Sequence, residues 1–215
     1  MKKLLAEFLG TALLVAVVVG SGIMATDLTQ DVGLQLLINT IATVFGLAVL
    51  ILILAPISGA HFNPIVTLVD LIQGKSSVIQ FIQYSLAQVL GGISGAFLAN
   101  AMFDQAIVET STKIRSGTHL YLAEMVATAG LIVVINLLLH QKNLTAIPAA
   151  VAAWIGSAYF FTSSTSFANP AVTIGRTFSD SFAGIAPGSA PQFIAAQLLG
   201  ALIGLALVKA LTHDK

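Results

Sequence analysis

Ser166-Phe167-Ala168-Asn169-Pro170-Ala171-Val172-Thr173, with an earlier echo at Ala60-His61-Phe62-Asn63-Pro64-Ile65-Val66-Thr67, decides how the chain is read. Each copy sets Asn then Pro where one apolar run stops and another begins. That is the chemistry of a helix start: an amide side chain caps free N–H groups, and proline in the first turn gives up no needed donor. A short helix that starts at membrane depth must face protein or a water-filled cavity, because lipid cannot satisfy its free N–H groups. Two such starts predict a pore.

The membrane setting follows from composition. Of 215 residues, 57% are hydrophobic and 8% charged, against roughly 25% charged in a soluble domain. Nine basic and nine acidic residues cancel, so there is no electrostatic case for binding nucleic acid. With no cysteine, disulfides, thiolate metal sites and cysteine nucleophiles are excluded. The apolar run after Met1-Lys2-Lys3 lasts to about Ile23, longer than the roughly 7 to 15 residues of a signal-peptide core. It reads as a retained first span.

Six runs are long enough to cross a bilayer, for which about 20 residues are needed. They are Leu4 to Met24, Gly33 to Leu54, Val78 to Met102, Leu120 to Leu139, Leu144 to Phe161 and Pro191 to Leu211. Two shorter segments, Asn63 to Ile72 and Asn169 to Ser179, fit re-entrant half-helices. With a cytoplasmic N-terminus, Lys2, Lys3, Lys75, Lys142, Lys209 and Lys215 fall inside, and Lys113, Arg115 and Arg176 lie at the outer mouth. That arrangement obeys the positive-inside rule and makes both termini cytoplasmic, as in a multi-pass plasma-membrane or bacterial inner-membrane protein.

The chain repeats itself, over about 1–103 and about 119–215, as one channel domain. Ala6-Glu7-Phe8-Leu9-Gly10-Thr11 matches Ala123-Glu124-Met125-Val126-Ala127-Thr128, and Ala87-Gln88-Val89-Leu90-Gly91 matches Ala196-Gln197-Leu198-Leu199-Gly200. Three spans per half is an odd number, so the second half must be inverted relative to the first. Inverted repeats of this kind bring discontinuous helices together near the midplane. The expected fold is therefore all-α: six transmembrane helices and two re-entrant half-helices in two inverted three-span repeats.

At the centre, the opposed half-helix N-termini carry partial positive charge, and Asn63 and Asn169 add donors that orient a neutral polar solute and repel cations. Glu7 and Glu124 lie within spans, at a cost of roughly 2.5 to 3.5 kcal/mol each. Two readings stand for them: proton relay, or acceptors for N–H groups of the extended chain that leads into each half-helix. The second is favoured because that chain has donors without helical partners. Gln88 and Gln197 suit the same bracing, and Gly91 with Gly95 and Gly200 with Gly204 suit close helix packing. His61, two residues before Asn63, is read as lining the lumen. His119, His140 and His213 are scattered and form no metal set, and no catalytic constellation or cofactor motif is present.

Ser58-Gly59-Ala60-His61-Phe62-Asn63-Pro64 and Ser166-Phe167-Ala168-Asn169-Pro170-Ala171, in an inverted three-span repeat, resemble the aquaporin or major intrinsic protein family. The resemblance implies a homotetramer with one pore per protomer, passing water or small neutral solutes passively and needing no cofactor. Selectivity in such pores comes from diameter, lining groups and half-helix dipoles. The family usually places arginine directly after the second Asn-Pro-Ala; here the residue is Val172. The first box ends in Ile65 where alanine is usual. Carrying over the remaining filter positions without gaps gives Thr43, Ser157 (or Gly156 beside it) and Ser166, a wide and uncharged filter without bulky aromatics.

Arg176 stands one turn beyond Val172, and its counterpart by the repeat is Asp70 at the cytoplasmic mouth. Either Arg176 keeps a cation-repelling charge in the outer vestibule, or it forms a solvated pair with Asp180 at helical spacing. Thr43 with Val172 resembles a bacterial subgroup associated with arsenic resistance. That implies arsenite, as arsenous acid, foremost, with methylated arsenicals, glycerol and water as further cargo, and a general glycerol, urea and water facilitator as the alternative. From another class, a proton-coupled secondary transporter remains open through Glu7 and Glu124.

Overall fold

The computed structural model describes residues 1–212, so His213 and Lys215 lie outside the described residues. Eight α-helices follow in order: α1 (Lys2–Leu28), α2 (Val32–Ser58), α3 (Pro64–Ile72), α4 (Val78–Met102), α5 (Thr118–His140), α6 (Ile147–Phe161), α7 (Pro170–Gly175) and α8 (Ala190–Thr212). Short 3₁₀ turns sit at Leu144–Ala146, Arg176–Phe178 and Pro187–Ser189, and there is no strand among the described residues. Six helices are long and apolar enough to cross a membrane. The fifth does so only with its leading 3₁₀ turn, over Leu144–Phe161. The second half-helix is shorter than the sequence suggests: α7 stops at Gly175 and Arg176 opens a tighter turn.

Polar residues at the helix starts do the local work. Asp31 accepts from the Leu34 N–H at 2.8 Å to begin α2, and Ser77 accepts from the Gln80 N–H at 3.1 Å to begin α4. Large apolar side chains such as Leu5, Ile41, Phe45, Ile79, Leu122 and Leu199 remain exposed on the outside of the bundle. In water such a surface would be a liability; against acyl chains it is the expected one.

Inside, α1 packs on α4 and α5 packs on α8, at corresponding places in the two halves. The reason is small residues. A Cβ at Gly91 or Gly95 would run into the backbone carbonyls of Phe8 and Ala12, and one at Gly200 or Gly204 would come within 2.5 Å and 2.7 Å of those of Met125 and Ala129. Dispersion between closely approached backbones is what holds helices together in lipid. Gly95→Ala should therefore part α1 from α4 and lower stability by about 1–3 kcal/mol, the usual range for overpacking. Gly188, whose Cβ would meet nothing, is the control: Gly188→Ala should leave the melting temperature of the detergent-solubilised protein unchanged.

The loop between α4 and α5 lies across the segment after α7. Ser111 N–H donates to the Thr177 carbonyl at 2.9 Å, and the Ala186 N–H donates to the Lys113 carbonyl at 2.8 Å. These contacts fix the backbone that surrounds Arg176.

Candidate functional site: a pore between two half-helices

α3 and α7 touch at their starts, where the two Asn residues each do two jobs. The Asn63 Oδ1 accepts from the Ile65 N–H at 2.9 Å, and the Asn169 Oδ1 accepts from the Ala171 and Val172 N–H groups at 3.0 and 3.3 Å. Each amide nitrogen then crosses to the other half. Asn63 Nδ2 donates to the Ala168 carbonyl and Asn169 Nδ2 to the Phe62 carbonyl, both at 2.8 Å. An amide nitrogen carries two N–H donors, so each retains one for the lumen that both residues line.

The chain leading into each half-helix is held in an unusual conformation. Ala60 and Phe62, and likewise Ser166 and Ala168, have φ between 47° and 50°, a left-handed region that costs a non-glycine residue about 1–2 kcal/mol. A buried carboxylate stabilises each turn. Glu7 accepts from the Ser58 hydroxyl (2.6 Å), the His61 N–H (3.0 Å), the Phe62 N–H (2.7 Å) and Gln88 Nε2 (2.8 Å). Glu124 accepts from the Ser164 hydroxyl (2.7 Å), the Phe167 and Ala168 N–H groups (both 2.9 Å) and Gln197 Nε2 (2.7 Å). Gln88 and Gln197 also reach Thr67 and Thr173 at 3.1 and 3.0 Å. Sequence reasoning missed Ser58, Ser164, Thr67 and Thr173, yet a signal was present. Each serine stands five residues before its Asn, and each threonine four after it.

A cavity of about 590 Å³ runs past the crossed Asn pair. Its lining mixes apolar side chains, among them Leu14, Val18, Leu47, Ile51, Leu131, Val151, Ile155 and Val172, with the polar and charged His61, Asn63, Asp70, Thr43, Tyr159, Ser166, Asn169 and Arg176. Thr43, Ser166 and Val172 thus stand in the wall, and Ile65 is buried behind it.

Two expectations about the filter are corrected here. Ser157 is exposed on the outside of the bundle, and Gly156 packs towards Val44 of α2. The residues that α6 gives to the cavity are Val151, Ile155 and Tyr159. They are spaced by four, so they share a face, and Ser157, two residues from Tyr159, turns about 200° away. Nor is the wall free of aromatics and charge. The Tyr159 hydroxyl lies 3.3 Å from that of Thr43, and Phe167 and Arg176 both line the cavity.

The two ends of the cavity differ in charge. At one, the His61 Nε2 is 3.3 Å from Asp70 Oδ2, and its Nδ1 is 3.1 Å from the Thr67 hydroxyl. At the other, the Arg176 guanidinium sits 3.4 Å from the centre of the Phe167 ring and donates through Nε to the Ala183 carbonyl. Counting from each Asn, His61 corresponds to Phe167, and Asp70 to Arg176. The solvated pair with Asp180 does not form: Asp180 instead accepts from the Thr112 N–H at 2.9 Å and from its hydroxyl at 3.0 Å.

Two further cations flank the Arg176 end from the α4–α5 loop. Burial, then the nearby Arg115 and Arg176 charges, push the Lys113 ammonium down to about 8, with Asp180 opposing. Burial also brings the Arg115 guanidinium down to about 10, opposed by Glu124 and Tyr159.

Residues 1–168 match the family described as Major intrinsic protein, a match that ends one residue before the second Asn-Pro box. The aquaglyceroporin AqpS of Rhizobium meliloti (strain 1021) is 49% identical over 210 residues, which cover 97% of this chain and 89% of that protein. The glycerol uptake facilitator protein-like 6 of Lactiplantibacillus plantarum is 34% identical over 146 residues, 63% of each chain. The aquaglyceroporin of Plasmodium falciparum, solved by X-ray, shares the fold at a TM-score of 0.71 and 21% identity, over 98% of this chain and 96% of that one. With six spans, two capped half-helices and a lined cavity between them, the chain belongs to the major intrinsic protein family, the family of aquaporin and aquaglyceroporin channels.

Proposed function

We propose that the chain is a passive channel for small neutral polar solutes, with arsenous acid foremost and methylated arsenicals, glycerol and water as further cargo. The observation that carries this is the mixed lining of the cavity, in which the crossed Asn residues stand among mostly apolar side chains and Val172, not a charged side chain, follows the second box. A compact solute with several hydroxyls can hydrogen-bond to the few polar groups while the apolar lining offers water few partners. Arsenous acid, three hydroxyls on one uncharged centre, fits that description as a small polyol mimic. Thr43 with Val172 adds the likeness to the arsenic-resistance subgroup.

The protomer works within a homotetramer in a bacterial plasma membrane, with both termini cytoplasmic and the Arg176 mouth outside. Lysine placement supports that orientation. Proton coupling is disfavoured because Glu7 and Glu124 stand outside the cavity wall, each with four donors.

Stopped-flow flux through reconstituted protein tests the proposal. Wild type should pass arsenous acid and glycerol down their gradients, linearly and regardless of a proton gradient. Val172→Arg should cut both fluxes about tenfold or more while water falls less, since pore diameter sets the size limit. Equal large-solute flux in both proteins would place the constriction elsewhere, and flux that tracks the proton gradient would favour the transporter.

A further inference from the structure

Arg176 is only 2% exposed, yet no carboxylate of the described residues pairs with it. Of its five N–H donors, the one on Nε goes to the Ala183 carbonyl, and neither Nη group donates to any described residue. Burying an unpaired charge is costly, and a helix brace does not require one. A lysine or glutamine could hold the same carbonyl. The charge itself therefore needs an explanation.

Its setting is rigid. Phe167, over which the guanidinium stacks, is locked by its N–H bond to Glu124 at 2.9 Å and by the Phe193 ring at 5.1 Å. Arg115 approaches the same ring at 5.1 Å, so Phe167 carries a second cation and Arg176 cannot swing freely towards it. The C-terminal end of α7, where Arg176 stands, favours a cation. The repeat-related position is Asp70, in the last turn of α3, where the same dipole argument disfavours an anion. A pair of opposite charges at equivalent places, one of them against the local helix preference, points to the lumen and not to helix stability.

We propose that Arg176 is the specificity-determining residue of its mouth: a guanidinium set one turn past Val172, which rejects small cations and hydrogen-bonds to entering neutral solutes through its two Nη groups. Four residues of α-helical rise separate the two backbones by about 6 Å. Charge selection and size selection are thereby separated: Val172 leaves the portal open, while Arg176 guards it from the wall. The inference rests on the channel reading above.

Methylammonium and acetamide, similar in size but differing in charge, are the probes, measured in proteoliposomes. Wild type should pass acetamide and exclude methylammonium by about a hundredfold, as a focused positive potential does. Arg176→Gln should raise the methylammonium to acetamide flux ratio about tenfold or more, with acetamide flux itself falling only a few-fold because the glutamine amide still donates to it, and Arg176→Lys should keep most of the exclusion. Should Arg176→Gln fail to fold, the wild-type ratio and the double variant Val172→Arg, Arg176→Val stand in its place, and the double variant should again exclude methylammonium.

Wild type passing both probes alike would overturn the proposal. So would unchanged exclusion in folded Arg176→Gln, or a fall of both fluxes together with their ratio kept, which would make Arg176 a brace. Absence of arsenous acid and glycerol flux in wild type instead counts against the proposed cargo, and the acetamide to methylammonium ratio is read independently of it.

Discussion

Glu124→Ala should leave little folded protein. The substitution strips the carboxylate acceptor from the Ser164 hydroxyl, the Phe167 and Ala168 N–H groups and one Gln197 amide bond, at a site with no solvent exposure. Each orphaned buried donor costs about 1–3 kcal/mol, and together they approach the roughly 5–15 kcal/mol that keeps a typical protein folded. The left-handed turns at Ser166 and Ala168 also lose what holds them. Glu124→Gln should fall between, since one oxygen still accepts while the new NH₂ faces donors. Yield and melting temperature in detergent are the measurements. A melt of Glu124→Ala close to wild type would mean that water replaces the carboxylate, and Glu7→Ala should behave alike for the same reason.

Asn169→Asp should have the largest effect on selectivity without unfolding the chain. Aspartate caps a helix as well as asparagine does, so the bonds to the Ala171 and Val172 N–H groups survive. What is lost is the Nδ2 donor to the Phe62 carbonyl, and what is gained is a negative charge where two half-helix N-termini meet. That charge offsets the positive ends of both helices. Small-cation flux should rise about tenfold or more, as for a reversed local potential, and glycerol flux should fall as its central donor disappears. A folded Asn169→Asp with wild-type cation exclusion would show that the barrier lies wholly at the mouths.

How far the molecule could be read from its residues depended on which physical rule each feature obeys. Span length, the capped Asn-Pro starts and the glycine spacings are local patterns, and α1 to α8 follow them closely. Glu7 with Gln88 and Glu124 with Gln197 were legible because a charge inside a span needs partners, and the repeat showed where to seek them. The wall of α6 was not. Carrying Ser157 over by counting fails because one residue of slip turns a side chain by about 100°, whereas the spacing by four of Val151, Ile155 and Tyr159 marks the inward face directly. Arg176 escaped a firm reading for another reason. Helical spacing made Asp180 its natural partner, and only the fold reveals that the α4–α5 loop takes Asp180 for Thr112.

The crossed amides have a consequence for how the chain is made. Asn63 finds its acceptor at Ala168, and Phe62 finds its donor at Asn169, so the middle of the first half is completed by residues synthesised long after it has entered the bilayer. A ribosome that has released only α1 to α4 leaves an unfinished polar knot at membrane depth, and water or the insertion machinery must shelter it. The conduit comes into existence as the last segments arrive, and translation order is built into its geometry.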